Sequence, residues 1–416
     1  MTCGRRLSLV EGVDRPVPGR AGSGTVVGVG SDRVGRVVRL TSPRRPTLCP
    51  PNPPTLTLMR PLRHRLLVLL LLPVFFLLIL VSDRQVPTPP APPEDKPHAL
   101  VSLGDSTISG EAAGDYEPGT NGENGNWCHR SPNSLIHRTA LPGIDATVNL
   151  ACSGANSADV ALGEATQYTE TSQAARLTTV AREYRIQGIV VGIGANDDPR
   201  FGDVVSRCLR PSERRGGDCH PELESEWLDR IDRMVPKVVR ALTDIRHVMR
   251  AAGYPDDSYA LVLLSYAAPV GPRIPVELQN LNGCPFRKDD LHWVESNAVI
   301  QLAAGLRRAA DQSGVRFLDL SRAGRGHEAC AGGSDLSKEW FSRLIVDWHA
   351  LTDDQRSNHA TQESFHPNAR GHSQFGRCLG EFLATDDRAA ACLPGRDGYL
   401  HPAVGQAVHG DVRAVR

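Results

Sequence analysis

The chain has 416 residues, 40% of them hydrophobic, and 47 basic against 47 acidic side chains give no formal net charge. That length holds one large or two ordinary domains with ample material for a core. Residues 1–65 carry twelve Arg and three acidic residues (+9), leaving 35 Lys and Arg against 44 Asp and Glu (−9) on the rest; an acidic main body excludes nucleic acid as the expected partner, because phosphate binding needs a basic face.

Residues 1–58 are rich in Arg, Gly and Pro without sustained periodicity, and are expected to be disordered or untranslated, with Met59 as the alternative start. Residues 66–81, LLVLLLLPVFFLLILV, are uninterruptedly apolar and follow the basic flank MRPLRHR. No small-x-small cleavage site ends the run, so 59–82 reads as an uncleaved signal anchor, with the remainder exported. The proline-rich stretch VPTPPAPPEDKP makes 83–97 a polyproline-type linker. A folded domain is expected over 98–393 and a tail over 394–416.

Within the domain, ALVSL (99–103), ATVNLA (146–151), GIVVGIG (188–194), ALVLLSY (260–266) and VRFLDL (315–320) read as buried strands. Helical spacing marks 224–253, with Trp227, Ile231, Met234, Val238, Leu242 and Ile245 on one face, and again 291–314. The segment 329–364, with Trp340, Phe341, Leu344, Ile345 and Trp348, reads as a packing helix or as an apolar wall for an acyl chain. Strands alternating with helices predict an α/β fold with a parallel sheet of about five strands and right-handed crossovers. Eight cysteines follow the apolar run, an even number that fits disulfides in an oxidising compartment. The simplest pairing is sequential: Cys128–Cys152, Cys208–Cys219, Cys284–Cys330 and Cys378–Cys392. No metal-ligand spacing competes, and no cofactor is implied.

In an open parallel sheet, the loops after the strands meet at one edge. Strand one leads into Gly104-Asp105-Ser106, strand two into CSGANS with Gly154, strand three into GIGANDDP with Asn196, and SFHPNARGH places His366 far downstream. Acyl transfer needs these parts. A serine hydroxyl requires a neighbouring base, and the tetrahedral intermediate requires donors at its oxyanion. Ser106 is the candidate nucleophile and His366 the base; the Ser106 N–H, the Gly154 N–H and the Asn196 amide are the candidate oxyanion donors. Pro367 disfavours helical geometry at His366 and suits a helix start, which puts the histidine in the loop before a helix.

These four residues, in GDS, CSGA, GAND and the final FHP block, resemble those of the SGNH hydrolases, the GDSL esterase/lipase family, over roughly 98–393. The likeness is greatest to secreted actinobacterial lipases and esterases, and WCHRSPNSL and ACSGA carry it. The resemblance implies a three-layer α/β/α, flavodoxin-like fold and serine esterase or lipase activity, and it supports the first three disulfides. It departs from the family at two places, one of which, GDST in place of GDSL, changes no chemical group. The aspartate that usually stands three residues before the histidine is Glu363 here; either that carboxylate or the Ser364 main-chain carbonyl orients the imidazole. An ester is the expected substrate and the membrane the expected partner through the anchor. Three readings stand side by side: ester hydrolysis, an envelope acyltransferase or O-deacetylase acting on a sugar or lipid, and a silent membrane-tethered scaffold.

Overall fold

The computed structural model describes residues 61–82, 90–213, 217–354 and 356–405. The segment expected to be disordered, 1–58, and residues 406–416 of the expected tail lie outside the described residues. The chain divides into two units, Met1–Arg84 and Gln85–Arg416.

In the first unit, α1 (Pro61–Ser82) is a helix with Pro73 inside it. Its side chains are described over 67–77, and all of these are exposed. Among the described residues no helix is long and apolar enough to cross a membrane, so the anchor expected over 59–82 is not shown.

The second unit runs β1 (His98–Gly104), α2 (Ser106–Ser109), β2 (Ala146–Asn149), α3 (Ser157–Val160), the small hairpin β3 (Thr166–Gln167) and β4 (Glu170–Thr171), α4 (Gln173–Glu183), β5 (Arg185–Gly192), α5 (Phe201–Glu213), α6 (His220–Ala251), β6 (Ala260–Leu264), α7 (Lys288–Trp293), α8 (Val299–Ser313), β7 (Arg316–Asp319), α9 (Ala369–Leu383), β8 (Ala389–Pro394) and β9 (Leu400–Ala403). The main sheet has the order β2-β1-β5-β6-β7-β8-β9. All its pairs are parallel except β8 with β9. The order reverses beside β1, and the crevice above that point, at the carboxyl ends of β1 and β5, is where such sheets bind ligands.

The five expected strands are all in this sheet, with β2 at one edge, and the sheet is two strands wider than expected. The segments AAACLP and LHPA supply the extra pair. They are short, rich in alanine and proline, and take strand form only through their neighbours. The sheet therefore extends beyond residue 393, into what reads from sequence as a tail.

Helix α6 buries the predicted face, from Trp227 through Ile231, Met234, Val238 and Leu242 to Ile245. The helix expected over 291–314 is broken: α7 and α8 flank a π-helical stretch, Val294–Ala298. That stretch ends at the Ala298 carbonyl, which accepts the Trp227 indole N–H at 3.1 Å. The long segment 329–364 is not a packing helix; it is irregular, with short 3₁₀ turns at 336–338, 350–352 and 357–359.

Four disulfides, Cys128–Cys152, Cys208–Cys219, Cys284–Cys330 and Cys378–Cys392, staple the unit. Helix α9 lies very close to the turn at Leu135–Arg138. A Cβ at Gly380 would overlap the Thr139 carbonyl, and one at Gly376 the Leu135 carbonyl and the Arg138 side chain. Gly380→Ala is therefore expected to destabilise the domain by about 1–3 kcal/mol, the usual cost of overpacking. Chemical denaturation of the two proteins checks this, and equal midpoints would contradict the close approach.

Candidate active site

Strand β1 is buried along almost its whole length and delivers Asp105 and Ser106 to the sheet edge. Asp105 caps α2: its Oδ1 accepts the Thr107 N–H at 3.1 Å. Its Oδ2 accepts the Tyr266 hydroxyl at 2.5 Å. Burial pushes the Asp105 carboxyl up to about 7, against the Tyr266 and Thr107 hydrogen bonds, which pull it down. Ser106 is the first residue of α2 and is 9% exposed. Its Oγ lies 2.8 Å from His366 Nε2.

His366 sits in the loop before α9, though Pro367 does not open that helix. Asn368 does, taking the N–H groups of Arg370 and Gly371 on its side-chain oxygen. Ser342 holds the loop: its hydroxyl donates to the carbonyls of Glu363 at 2.7 Å and His366 at 3.1 Å, and its carbonyl accepts the Phe365 N–H. Phe365 is held at φ 60, an uncommon conformation for a bulky residue. His366 Nδ1 faces the Ser364 carbonyl at 3.0 Å. A carbonyl only accepts, so Nδ1 carries the proton and Nε2 is free to face the serine. Burial holds the imidazole below its ordinary pKa, and the charge of Glu111, the Ser364 carbonyl and the charge of Glu363 work the other way. The ring is therefore a neutral base at neutral pH.

Glu363 is engaged elsewhere. Its Oε1 accepts the Tyr116 hydroxyl at 2.6 Å. Of the two groups that sequence offers for orienting His366, the carbonyl of Ser364 is the one at hydrogen-bond distance from its Nδ1.

Gly154 and Asn196 lie on the loops after β2 and β5. Gly154 adopts φ 82, a conformation that favours glycine. Among the described residues, neither the Ser106 N–H nor the Gly154 N–H donates to another protein group. Asn196 spends one amide hydrogen on the Ala155 carbonyl at 3.0 Å, which ties the two loops together. A narrow cleft of about 50 Å³ opens on Asp105, Ser106, Asn196 and His366; its walls are mostly apolar, with Phe201, Leu302, Phe341 and Phe365 among them. Phe341 is the one residue of the 340–348 aromatic and aliphatic set that lines it. A second, smaller apolar hollow of about 30 Å³ shares Phe201, Pro269 and Phe365 with the first.

Sequence reasoning missed a polar cluster beside the histidine. Glu111, His129 and Glu363 bring potential ligand atoms within 4.8 Å of one another. Hydrogen bonds account for the two carboxylates: Glu111 takes His129, Ser153 and Gln362, and Glu363 takes Tyr116. The Tyr116 ring stacks on His129 at 4.2 Å. The cluster is a bonded network and carries no case for a metal.

With this geometry, the model of the GDSL-like lipase/acylhydrolase family matches residues 102–374. The chain belongs to that family. Its fold is that of an SGNH hydrolase, and the protein is an ester-hydrolysing enzyme of that type. Solved structures similar to this SGNH hydrolase include an extracellular lipase from Streptomyces rimosus (21% identity, 69% of this chain and 100% of that one, TM-score 0.41). Phospholipase A1 from Streptomyces albidoflavus is also similar (21%, 69% and 97%, TM-score 0.42), as is an aryl esterase from M. smegmatis (13%, 69% and 98%, TM-score 0.32). The sequence finds no match among curated proteins.

Proposed function

We propose that this SGNH hydrolase is an extracytoplasmic serine esterase or lipase working through a Ser106–His366 dyad. The observation that carries the reading is the relay from Ser106 Oγ to His366 Nε2 and from His366 Nδ1 to the Ser364 carbonyl. His366 takes the Ser106 proton as Oγ attacks the ester carbon. The N–H groups of Ser106 and Gly154 and the Asn196 amide stabilise the oxyanion. His366 then gives the proton to the departing alcohol, and water, deprotonated by the same imidazole, releases the acid.

The apolar walls of the cleft beside Ser106 support an aliphatic acyl group. On its other side Asn196 borders a polar groove with Lys237, Asp198 and Arg240, which suits a polar alcohol portion. Four disulfides support an oxidising, extracytoplasmic setting. The exposed apolar residues of α1, preceded by a basic flank, support membrane delivery and anchoring, with secretion as the outcome if the segment is cleaved. Free access of water to the acyl-enzyme distinguishes a hydrolase from an acyltransferase.

The test is hydrolysis of p-nitrophenyl esters from acetate to palmitate by the full chain with its disulfides oxidised, beside labelling by a fluorophosphonate. Medium or long acyl chains are expected to give higher kcat/KM than acetate. A preference for acetate would point to O-deacetylation. Labelling without hydrolysis would favour acyl transfer, and no labelling would favour a silent scaffold.

A further inference from the structure

We infer that Glu111 is the positioning residue of this site: its buried carboxylate ties the loops of Ser106, Gly154 and His366 together and sets a fixed negative charge beside the imidazole. The inference rests on the serine-esterase reading above. Glu111 follows α2 and is fully buried at 0% exposure. Its N–H donates to the Ser106 carbonyl at 3.1 Å, which attaches it to the nucleophile's own turn. Its Oε2 accepts the Ser153 hydroxyl at 2.5 Å, one residue before Gly154. The same oxygen accepts the Gln362 amide at 2.7 Å, four residues before His366. Its Oε1 accepts His129 Nδ1 at 2.7 Å.

A buried carboxylate with three donors is satisfied as an anion. Burial pushes Glu111 up, but the His129 hydrogen bond and charge, with the charge of His366 and the Ser153 bond, bring it below its ordinary value. The charged and titratable groups facing His366 are Glu111, Glu363, His129 and His372. Glu363 is bonded to Tyr116, and burial lowers His372 to about 3, so it stays neutral. When His366 takes the serine proton it becomes an imidazolium in a poorly solvated site. A fixed anion nearby lowers the cost of that charge without reorganising. In a triad, a carboxylate bonded to Nδ1 supplies this charge; here a carbonyl occupies that position.

The experiment is the pH dependence of kcat/KM and kcat on a p-nitrophenyl ester for the full-length wild type, Glu111→Gln and Glu111→Asp, with thermal melts alongside. Glu111→Gln is expected to lower kcat about tenfold or more with little change in KM. It is also expected to move the acidic limb to lower pH, because losing the anion makes the imidazolium less favourable. Glu111→Asp is expected to restore the limb in part. A folded Glu111→Gln protein with the wild-type limb overturns the inference, since a purely structural tie leaves that limb in place. If Glu111→Gln does not fold, Gln362→Ala, at a half-buried loop position, keeps the charge and cuts the tie to His366. A drop in its kcat at unchanged KM and limb supports the positioning role, and an unchanged kcat overturns it. Wild type inert to esters and to the fluorophosphonate would instead remove the esterase reading itself.

Discussion

Replacing Ser106 by alanine is expected to abolish ester hydrolysis, with kcat/KM falling at least about 10⁴-fold. The side chain's hydrogen bond is to His366, and the bonds of α2 are made by main chain and by Asp105, so the melting temperature should hardly move. His366→Gln is expected to lose a similar amount. The double variant should be no worse than either single one, because the two groups act as a unit. Steady-state kinetics beside fluorophosphonate labelling checks all three proteins. Activity within tenfold of wild type in Ser106→Ala would remove that residue from the chemistry.

The second large effect is on stability and depends on pH. Burial raises the Asp105 carboxyl from 3.8 to about 7. A folded-state pKa above the unfolded one means the folded state binds the proton more tightly. Stability on this account is therefore fully present below about 4, declines as pH rises, and reaches its minimum above about 7. The whole gap corresponds to about 4 kcal/mol, and about 3 kcal/mol of it falls between pH 5 and pH 8. Asp105→Asn cannot ionise and keeps an oxygen for the Thr107 N–H. Its stability relative to wild type should rise by about that 3 kcal/mol from pH 5 to pH 8. Urea unfolding of both proteins at the two pH values measures this, and parallel curves would show that Asp105 does not titrate in this range.

The fold was legible where burial leaves a continuous apolar run. Strands β1, β5 and β6 lie inside the sheet and are buried along most of their length, so they read directly. Strands β8 and β9 did not, because Ala389–Pro394 and Leu400–Ala403 owe their form to hydrogen bonds at the sheet edge. The break between α7 and α8 was equally hidden, since its tertiary partner is an indole some seventy positions away. At the candidate site, the pairing of Ser106 with His366 was legible because each sits in a turn with recognisable chemistry, as do the proposed oxyanion residues Gly154 and Asn196. Tyr266 stands at the end of a strand-like run and gives no local sign that its hydroxyl meets Asp105. Glu111 gave only a faint signal: a single acid within SGEAAG, among residues small enough for neighbouring chain to close over it. Nothing local marks Gln362 as its partner, because the two are 251 positions apart.

In the proposed dyad the group that orients His366 is a peptide carbonyl, and two of the three proposed oxyanion donors are peptide N–H groups. Such atoms are common to every amino acid, so a scan of side chains passes over them. Changing Ser364 removes a hydroxyl that bridges the N–H and C=O of Ile345, yet it leaves the carbonyl facing His366. The genetic record of that function is written in its neighbours instead. Phe365, with its left-handed φ, and Ser342, which holds the backbone on both sides, decide where the carbonyl points. Directed evolution of this enzyme will meet limits at residues that never touch the ester as well as at the dyad itself, and one working atom lies beneath a side chain that takes no part in the chemistry.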